Sequence, residues 1–426
     1  MNDSLFVARY RKSDKGFTRS RVLTFKVIVL MLLSQGTRSL QCALNDLIPK
    51  LGLRYHTVSK VAYSKARQKL SHKAFIELNQ EAVVLTMYED DDYKTWKGVR
   101  IMAIDGSLVM LPENDDDTVK EFGTIAYTYD NKQAGGKETG EHCYARASAF
   151  YDVLNHTAVD TKLAPCKSYE VDLAQEHLAY AQANDLVIYD RGYCSFRMMA
   201  IATQAKGAFL IRCPGNLKVA ADMLAGKGAD DIAVTLNAPA GFAKDSKNQG
   251  LPTTLKVRFV RIILDNGEIE VLATSLLDQD KFSLADFKEL YWLRWGVETF
   301  YGILKTRLNL ENFSGYSPEA IKQDFYATVF LTGAEAILAE DAEEQLQKQH
   351  AGYPKKVNKA VSFNVIKDQA FEIFYSKQSD RKRLKALTEL FLTSPTLIRK
   401  DRKTPRVTSS AIQRLSFWKR KRKITF

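Results

Sequence analysis

The stretch from Tyr291 to Lys305, YWLRWGVETFYGILK, decides how the rest of the chain is read. Ser283 and Asp286 make a capping-box start ahead of it, so a long helix from Ser283 is expected. Tyr291, Arg294, Glu298 and Lys305 stand at offsets of 0, 3, 7 and 14. At about 100° per residue they project at about 0°, 300°, 340° and 320°, one narrow face. An acid flanked by Arg one turn before and Lys two turns after would set a metal ligand among phosphate-binding cations. By helix geometry alone, a solvated face with an Arg294–Glu298 pair four residues apart accounts for the spacing better.

Working outward, two other carboxylates share a setting. Val99–Ile104 is a short apolar run ending in Asp105-Gly106, and Leu186–Tyr189 is another ending in Asp190-Arg191-Gly192. Sites in open α/β sheets form outside the carboxyl ends of strands, where two such aspartates can meet. An Asp-Gly step after a strand is also ordinary turn chemistry. Around these runs, Tyr144–Tyr151 and His156–Leu163 read as a hairpin about Asn155. Ser168–Ala183 reads as a helix capped by Ser168, Ser195–Lys206 as a helix, and Ala208–Arg212 as a strand. Leu255–Ile263 and Glu268–Ser275 read as strands turned at Asp265-Asn266-Gly267, in a mostly β insertion over about 215–276.

The flanks read as helical. Val22–Leu33, Ser39–Leu51 and Thr57–Leu70 carry helical spacing, and Thr57 is the expected cap of a segment bearing Lys60, Lys65, Arg67 and Lys69. That segment suits either a helix-turn-helix DNA module or a solvated basic face over an ordinary core. Helix returns beyond Pro318 to about residue 395. The organisation expected is a helical DNA-binding region at 1–95, a catalytic domain at 96–316, a helical region at 317–398 suited to dimer contacts, and a basic tail at 399–426.

Charge supports a polyanion partner. The 426 residues carry +12, and the tail from Arg399 holds eleven Lys or Arg against Asp401 alone, giving +10 and leaving about +2 elsewhere. Basic ends on a near-neutral body suit DNA, since each neutralised phosphate releases counterions. Hydrophobic residues at 45% and charged residues at 26% are globular composition. Five scattered cysteines without a C-x-x-C pair argue against a disulfide framework or a cysteine zinc site, and fit a reducing cytoplasm. The start MNDSLFVARYRK lacks an apolar signal core, and Val27–Leu33 is far short of the roughly 20 residues that span a bilayer. The dense acids at Glu89–Asp92 and Glu113–Asp117 read as solvated loops, and Asp152 and Asp160 as surface residues of the hairpin.

Tyr291-x2-Arg294-x3-Glu298-x6-Lys305 resembles, at every position, the Y-x2-R-x3-E-x6-K signature of bacterial DDE transposases of the insertion-sequence-four type. Asp190-Arg191-Gly192-Tyr193 resembles that family's second-aspartate motif, and Asp105-Gly106-Ser107 its first. The resemblance covers roughly 98–316 and implies an α+β, ribonuclease H-like mixed sheet interrupted by a β-rich insertion. It implies that Asp105, Asp190 and Glu298 hold two Mg²⁺ ions, with Mn²⁺ as a substitute, Asp105 bridging both. It further implies that Tyr291, Arg294 and Lys305 contact DNA phosphates. The reaction implied is cut-and-paste transposition on element ends and target DNA by a homodimer, through a hairpin intermediate, in the bacterial cytoplasm and nucleoid. Relatives stack a flipped base on a tryptophan in the insertion. Trp96, Trp292, Trp295 and Trp418 all lie outside 215–276, leaving Phe242, Phe259 or another aromatic. Two rivals remain: an inactive, DNA-binding descendant of a transposase, and a two-carboxylate glycosidase, which has no use for the Arg/Lys face.

Overall fold

Strand β1, Arg100–Met110, is the axis from which the architecture is built. The computed structural model describes residues 3–18, 22–34, 39–52, 57–131, 136–242, 250–349, 353–375 and 380–398, with no side-chain detail for 127–138 and 380. The basic tail at 399–426, Trp418 included, lies outside the described residues. The other strands of its sheet are β2 (Thr124–Asn131), β3 (Gly136–Asp152), β4 (Thr157–Pro165), β5 (Asp185–Tyr189), β6 (Ala208–Arg212), β7 (Asp231–Asn237), β8 (Thr254–Ile263) and β9 (Ile269–Thr274). They form one mixed sheet in the order β2-β3-β1-β5-β6-β9-β8-β7, with β4 on β3. The chain divides into two units: Tyr88–Leu108 with Arg146–Gly302, and Met1–Met87 with Val109–Ala145 and Ile303–Phe426.

In the first unit β1 and β5 pair in parallel, as do β5 and β6. The order β4-β3-β1-β5-β6 is that of the expected ribonuclease H-like core. Residues 101–104 and 186–188 are wholly apolar and, with Tyr189, buried, as strands covered on both faces require. The helices Glu170–His177 and Phe196–Gln204 fall between β4 and β5 and between β5 and β6. Ser195 caps the second by accepting from Met198 N–H. Ser168 does not cap the first; Tyr169 precedes it without a side-chain cap.

The β-rich insertion extends the same sheet rather than standing apart. β9 runs antiparallel to β6, with Leu210 opposite Thr274, and β8 and β7 follow outward. The turn at 264–268 forms as expected, with Gly267 at φ +84° and Asn266 Oδ1 accepting from Glu268 N–H at 3.0 Å. β7 falls within the region read as a β insertion; it is an edge strand with no fully buried residue, along which Ile232, Val234 and Leu236 alternate. Arg258 of β8 is fully buried, where its Nε donates to Asp231 at 2.8 Å and Nη1 to the carbonyl of Phe282 at 2.9 Å.

In the second unit, Phe25–Leu33 is so apolar that eight of its residues are buried, and Pro318–Leu338 is a 21-residue core helix capped by Ser317. Ser59, not Thr57, caps Lys60–Arg67, accepting from Ala62 N–H. Arg67 is not part of a basic DNA face. It is buried, donating to Gln323 Oε1 at 2.7 Å, Asp324 Oδ1 at 2.8 Å and the Ala320 carbonyl at 2.7 Å. Removing one partner of a buried ion pair leaves the other uncompensated. Arg67→Met is therefore expected to lower unfolding free energy by about 3–5 kcal/mol in urea titration. A loss under about 1 kcal/mol would return Arg67 to the surface-charge reading.

Candidate active site

Parallel register builds the centre of the site. Ile104 pairs with Tyr189, so Asp105 and Asp190 are the next residues on two adjacent strands, whose backbones run about 4.8 Å apart. Asp105 does not end its strand, as the sequence suggested. β1 runs on to Met110, and only its pairing with β5 stops at Ile104. Asp190 does end β5 and leads into a single 3₁₀ turn, Arg191–Tyr193.

The two carboxylates sit in different surroundings. Asp105 Oδ1 accepts from Gly106 N–H at 2.8 Å, and its carbonyl accepts from the Tyr301 hydroxyl at 2.9 Å. Burial pushes the Asp105 carboxyl up to about 6, against the Gly106 N–H and Arg294, with Asp190 and Glu170 adding to the rise. Asp190 Oδ1 is buried and accepts no hydrogen bond. Its nearest cation, Arg212 Nη1, stands 3.9 Å away, and Arg212 itself is held by Glu270.

Glu298 arrives on the helix Trp295–Gly302, which follows Leu284–Leu293. The capping box is formed, with Asp286 accepting from Ser283 N–H at 2.9 Å. Gly296 lets the second helix press onto the sheet, since a Cβ there would fall 2.9 Å from Val153 Cβ. Phe300 stacks on Tyr151 at 4.7 Å. Glu298 Oε1 receives Arg294 Nη2 at 2.9 Å. Arg294 is only 4% exposed and lies over the rings of Trp295 and Tyr291. Burial works to lower its pKa, and Tyr291, Asp190 and Glu298 outweigh that and raise it. Arg294 therefore sits in the field of Asp105, Asp190 and Glu298 together, as their common counterion.

Tyr291 is buried beside it, and burial raises its hydroxyl pKa. Lys305 lies past Gly302, in a π-helical turn, Ile303–Arg307, that belongs to the other unit. A π turn closes its hydrogen bonds five residues apart, so it advances less than 100° per residue. The expected single helix is also divided at Arg294, which lies between Leu284–Leu293 and Trp295–Gly302, so the four residues do not share one continuous helix.

These donors suit a hard cation. All are carboxylate oxygens, Asp190 carries a buried oxygen with no hydrogen-bond partner, and burial raises the Asp105 carboxyl. Among the described residues, no three acidic, histidine or cysteine side chains stand close enough together to hold an ion. The third carboxylate is instead taken up by Arg294.

Several residues of this region were not legible beforehand. Glu170, paired with Arg146, has a carboxylate lying against Gly106. Asp152 and Asp160 are buried rather than superficial. Asp152 accepts from the Tyr88 hydroxyl at 2.8 Å and from Asn155, and Asp160 Oδ2 stands 2.7 Å from His177 Nδ1. His177 Nε2 is 2.9 Å from Ser148 Oγ, an arrangement like a nucleophile triad. All three side chains are buried, so no substrate reaches them and the chain of bonds braces β3, β4 and the helix. Glu113 is likewise structural, accepting from Cys143 N–H at 3.0 Å. Phe259 is fully buried and offers no stacking face, and Phe242 packs edge-on against Phe196; Trp292, by contrast, is 68% exposed.

With this geometry in hand, the comparisons with known proteins decide the family. The family described as "Transposase DDE domain" matches residues 96–332, more than half of the 426. The chain belongs to the transposase DDE family. Its expected membership in the insertion-sequence-four branch agrees with similarity to the transposase InsG for insertion sequence element IS4 of Escherichia coli (strain K12). That relative is 20% identical over 274 residues, covering 64% of this chain and 59% of its own length. A cryo-EM structure of the piggyBac transposase synaptic complex with hairpin DNA overlaps 96% of this chain and 83% of its own. At 9% identity and a TM-score of 0.43, that overlap adds nothing to the fold reading. No helix among the described residues of this transposase-family chain is long and apolar enough to cross a membrane.

Proposed function

We propose that this chain is an active DDE transposase that cuts DNA at insertion-sequence ends and joins it to a target by cut-and-paste transposition. The observation that carries the reading is the parallel register that sets Asp105 beside Asp190, with Arg294 and Glu298 brought into the same electrostatic neighbourhood. Asp105, Asp190 and Glu298 are the metal ligands of this proposal, for two Mg²⁺ ions or Mn²⁺ in their place. Such ions, bound there, supply activation of water and stabilisation of the departing 3′ oxygen.

The protein's own groups do the rest. Asp105, with its carboxyl raised to about 6, is mostly deprotonated at neutral pH and ready to bind a cation. Glu298 is held by Arg294, and would be the third carboxylate to hold a cation there. Arg294 acts as a positioning residue in this scheme, while Lys305, as a point charge, contacts phosphate and Tyr291 backs the helix. Trp292, exposed on the same helix, offers a face for an unpaired base. DNA ends and target are the partners, the basic tail adds salt-dependent affinity, and a homodimer pairs two ends.

The test is cleavage of labelled DNA bearing the element's termini in Mg²⁺, comparing wild type with Glu298→Gln. Wild type should nick at the boundary, the variant should bind without cutting, and EDTA should stop the wild type. Binding without cutting by both, across Mg²⁺ and Mn²⁺, would favour an inactive DNA-binding descendant. No DNA binding by either would end the proposal.

A further inference from the structure

Glu170 opens the helix Glu170–His177, and nothing in the DDE pattern names it. Its carboxylate reaches back to β1: a Cβ built on Gly106 would stand 2.9 Å from Glu170 Oε1 and 3.4 Å from its carboxyl carbon. Glycine at 106 is what leaves that space open, directly beside Asp105. Arg146 of β3 holds Oε1 and also donates from Nε to the Cys166 carbonyl at 3.3 Å. No described residue hydrogen-bonds the other oxygen, and about a third of the side chain is open to solvent. A salt bridge at a helix start would account for Arg146 and Glu170, but not for two features beside it.

First, the Glu170 carboxylate lies against the backbone of Gly106, the residue next to Asp105, and Arg146 takes only its Oε1. Second, Tyr193 is 1% exposed, yet its hydroxyl has no hydrogen-bond partner. Tyr193 closes the 3₁₀ turn that follows Asp190. Buried hydroxyls are nearly always satisfied, by protein or by ordered water. An orphan buried hydroxyl in the turn after Asp190 is what the water shell of a cation held at this site would explain.

We propose that Glu170 is a fourth carboxylate of the site, binding a hard divalent cation such as Mg²⁺ or Mn²⁺ jointly with Asp105, while the Tyr193 hydroxyl hydrogen-bonds to that ion's water shell. The proposal rests on the reading of Asp105 as a metal ligand. Arg146 then has a definite task, fixing Glu170 so that one oxygen stays free, as partners behind metal ligands commonly do.

The test is Mn²⁺ titration of the full chain without DNA, followed by electron paramagnetic resonance of free Mn²⁺. Wild type, Asp105→Asn, Glu170→Gln, Glu170→Asp and Gly106→Ala are compared, with circular dichroism and thermal melts in EDTA as the control for folding. Glu170→Gln should weaken Mn²⁺ binding about 10-fold, and Glu170→Asp should recover part of the loss. Gly106→Ala, which keeps every carboxylate but displaces Glu170, should weaken binding several-fold. A purely structural Glu170 would change the melt and leave the titration alone. If Asp105→Asn loses Mn²⁺ while Glu170→Gln and Gly106→Ala bind as wild type does, the proposal is overturned and the reading of Asp105 stands. If wild type binds no Mn²⁺, both fall.

Discussion

Asp105→Asn is expected to fold, to be more stable than wild type in EDTA above pH 6, and to lose DNA cleavage. The stability gain follows from the carboxyl's position. Burial raises its pKa from 3.8 to about 6, so folding opposes its ionisation. An acid whose folded pKa lies above the unfolded one contributes stability below the unfolded value and loses it as pH rises through the folded value. For Asp105 that loss runs from about pH 4 to about pH 6 and is complete at neutral pH. A difference of about two pKa units corresponds to about 3 kcal/mol. Water still reaches part of the side chain and screens the charge, so the expected gain is between about 1 and 3 kcal/mol. The asparagine variant never ionises, and its advantage should grow through that window and then stay level.

Cleavage should fall by about 10³-fold or more, since a bound metal supplies several kcal/mol at the transition state. The two halves of the prediction separate function from fold. Denaturant titrations at pH 4, 5, 6 and 7.5 in EDTA, beside cleavage assays in Mg²⁺, measure both. Added Mg²⁺ should reverse the stability order, because ligand binding stabilises only the protein that binds it. A variant less stable than wild type at pH 7.5 in EDTA would show that burial is not a cost at this residue.

What the sequence disclosed was local, and what it hid was long-range. β5, β6 and the helix Phe196–Gln204 are set by apolar runs, by Ser195 as a cap and by Asp190-Arg191-Gly192 as a turn, all within a few residues of each other. The β8–β9 turn is spelled out by Asp265-Asn266-Gly267. The reach of β1 to Met110 was hidden because Gly106 and Ser107 interrupt its apolar run. Arg67 looked like one more surface cation, since its partners Gln323 and Asp324 lie more than 250 positions away. Asp152 looked superficial because Tyr88, which covers it, precedes the sheet altogether. At the candidate site, Asp190 was legible as a strand-end acid and Asp105 only as the acid after an apolar run, and register supplied what sequence lacked, their alignment. Glu170 was not legible at all: a glutamate in the first turn of a helix is ordinary, and only the fold carries it to Gly106.

Arg294 divides the sequence reading from the structural one, and Arg294→Met should decide between them. Seen in the sequence, Arg294 grips a phosphate. In the fold it is 4% exposed and paired with Glu298 at 2.9 Å, and it is electrostatically coupled to Asp190 and Asp105. A phosphate grip removed would leave the DNA-free protein as stable as before and weaken DNA binding. A counterion removed leaves three carboxylates with less compensation. Loss of one partner of a buried pair costs about 3–5 kcal/mol, and the partial exposure of Glu298 brings the expectation to about 2–4 kcal/mol. Because Arg294 holds the Asp105 pKa down, its removal should also raise that carboxyl further. Stability should then go on falling with pH above 6, where wild type is level. Mn²⁺ supplies positive charge to the same carboxylates, so it should stabilise Arg294→Met more than wild type, even though cleavage is lost with the orientation of Glu298. Arg294→Lys should fall between the two, keeping the charge but not the planar fork. Equal stability of Arg294→Met and wild type in EDTA, together with weakened DNA binding, would restore Arg294 to the phosphate.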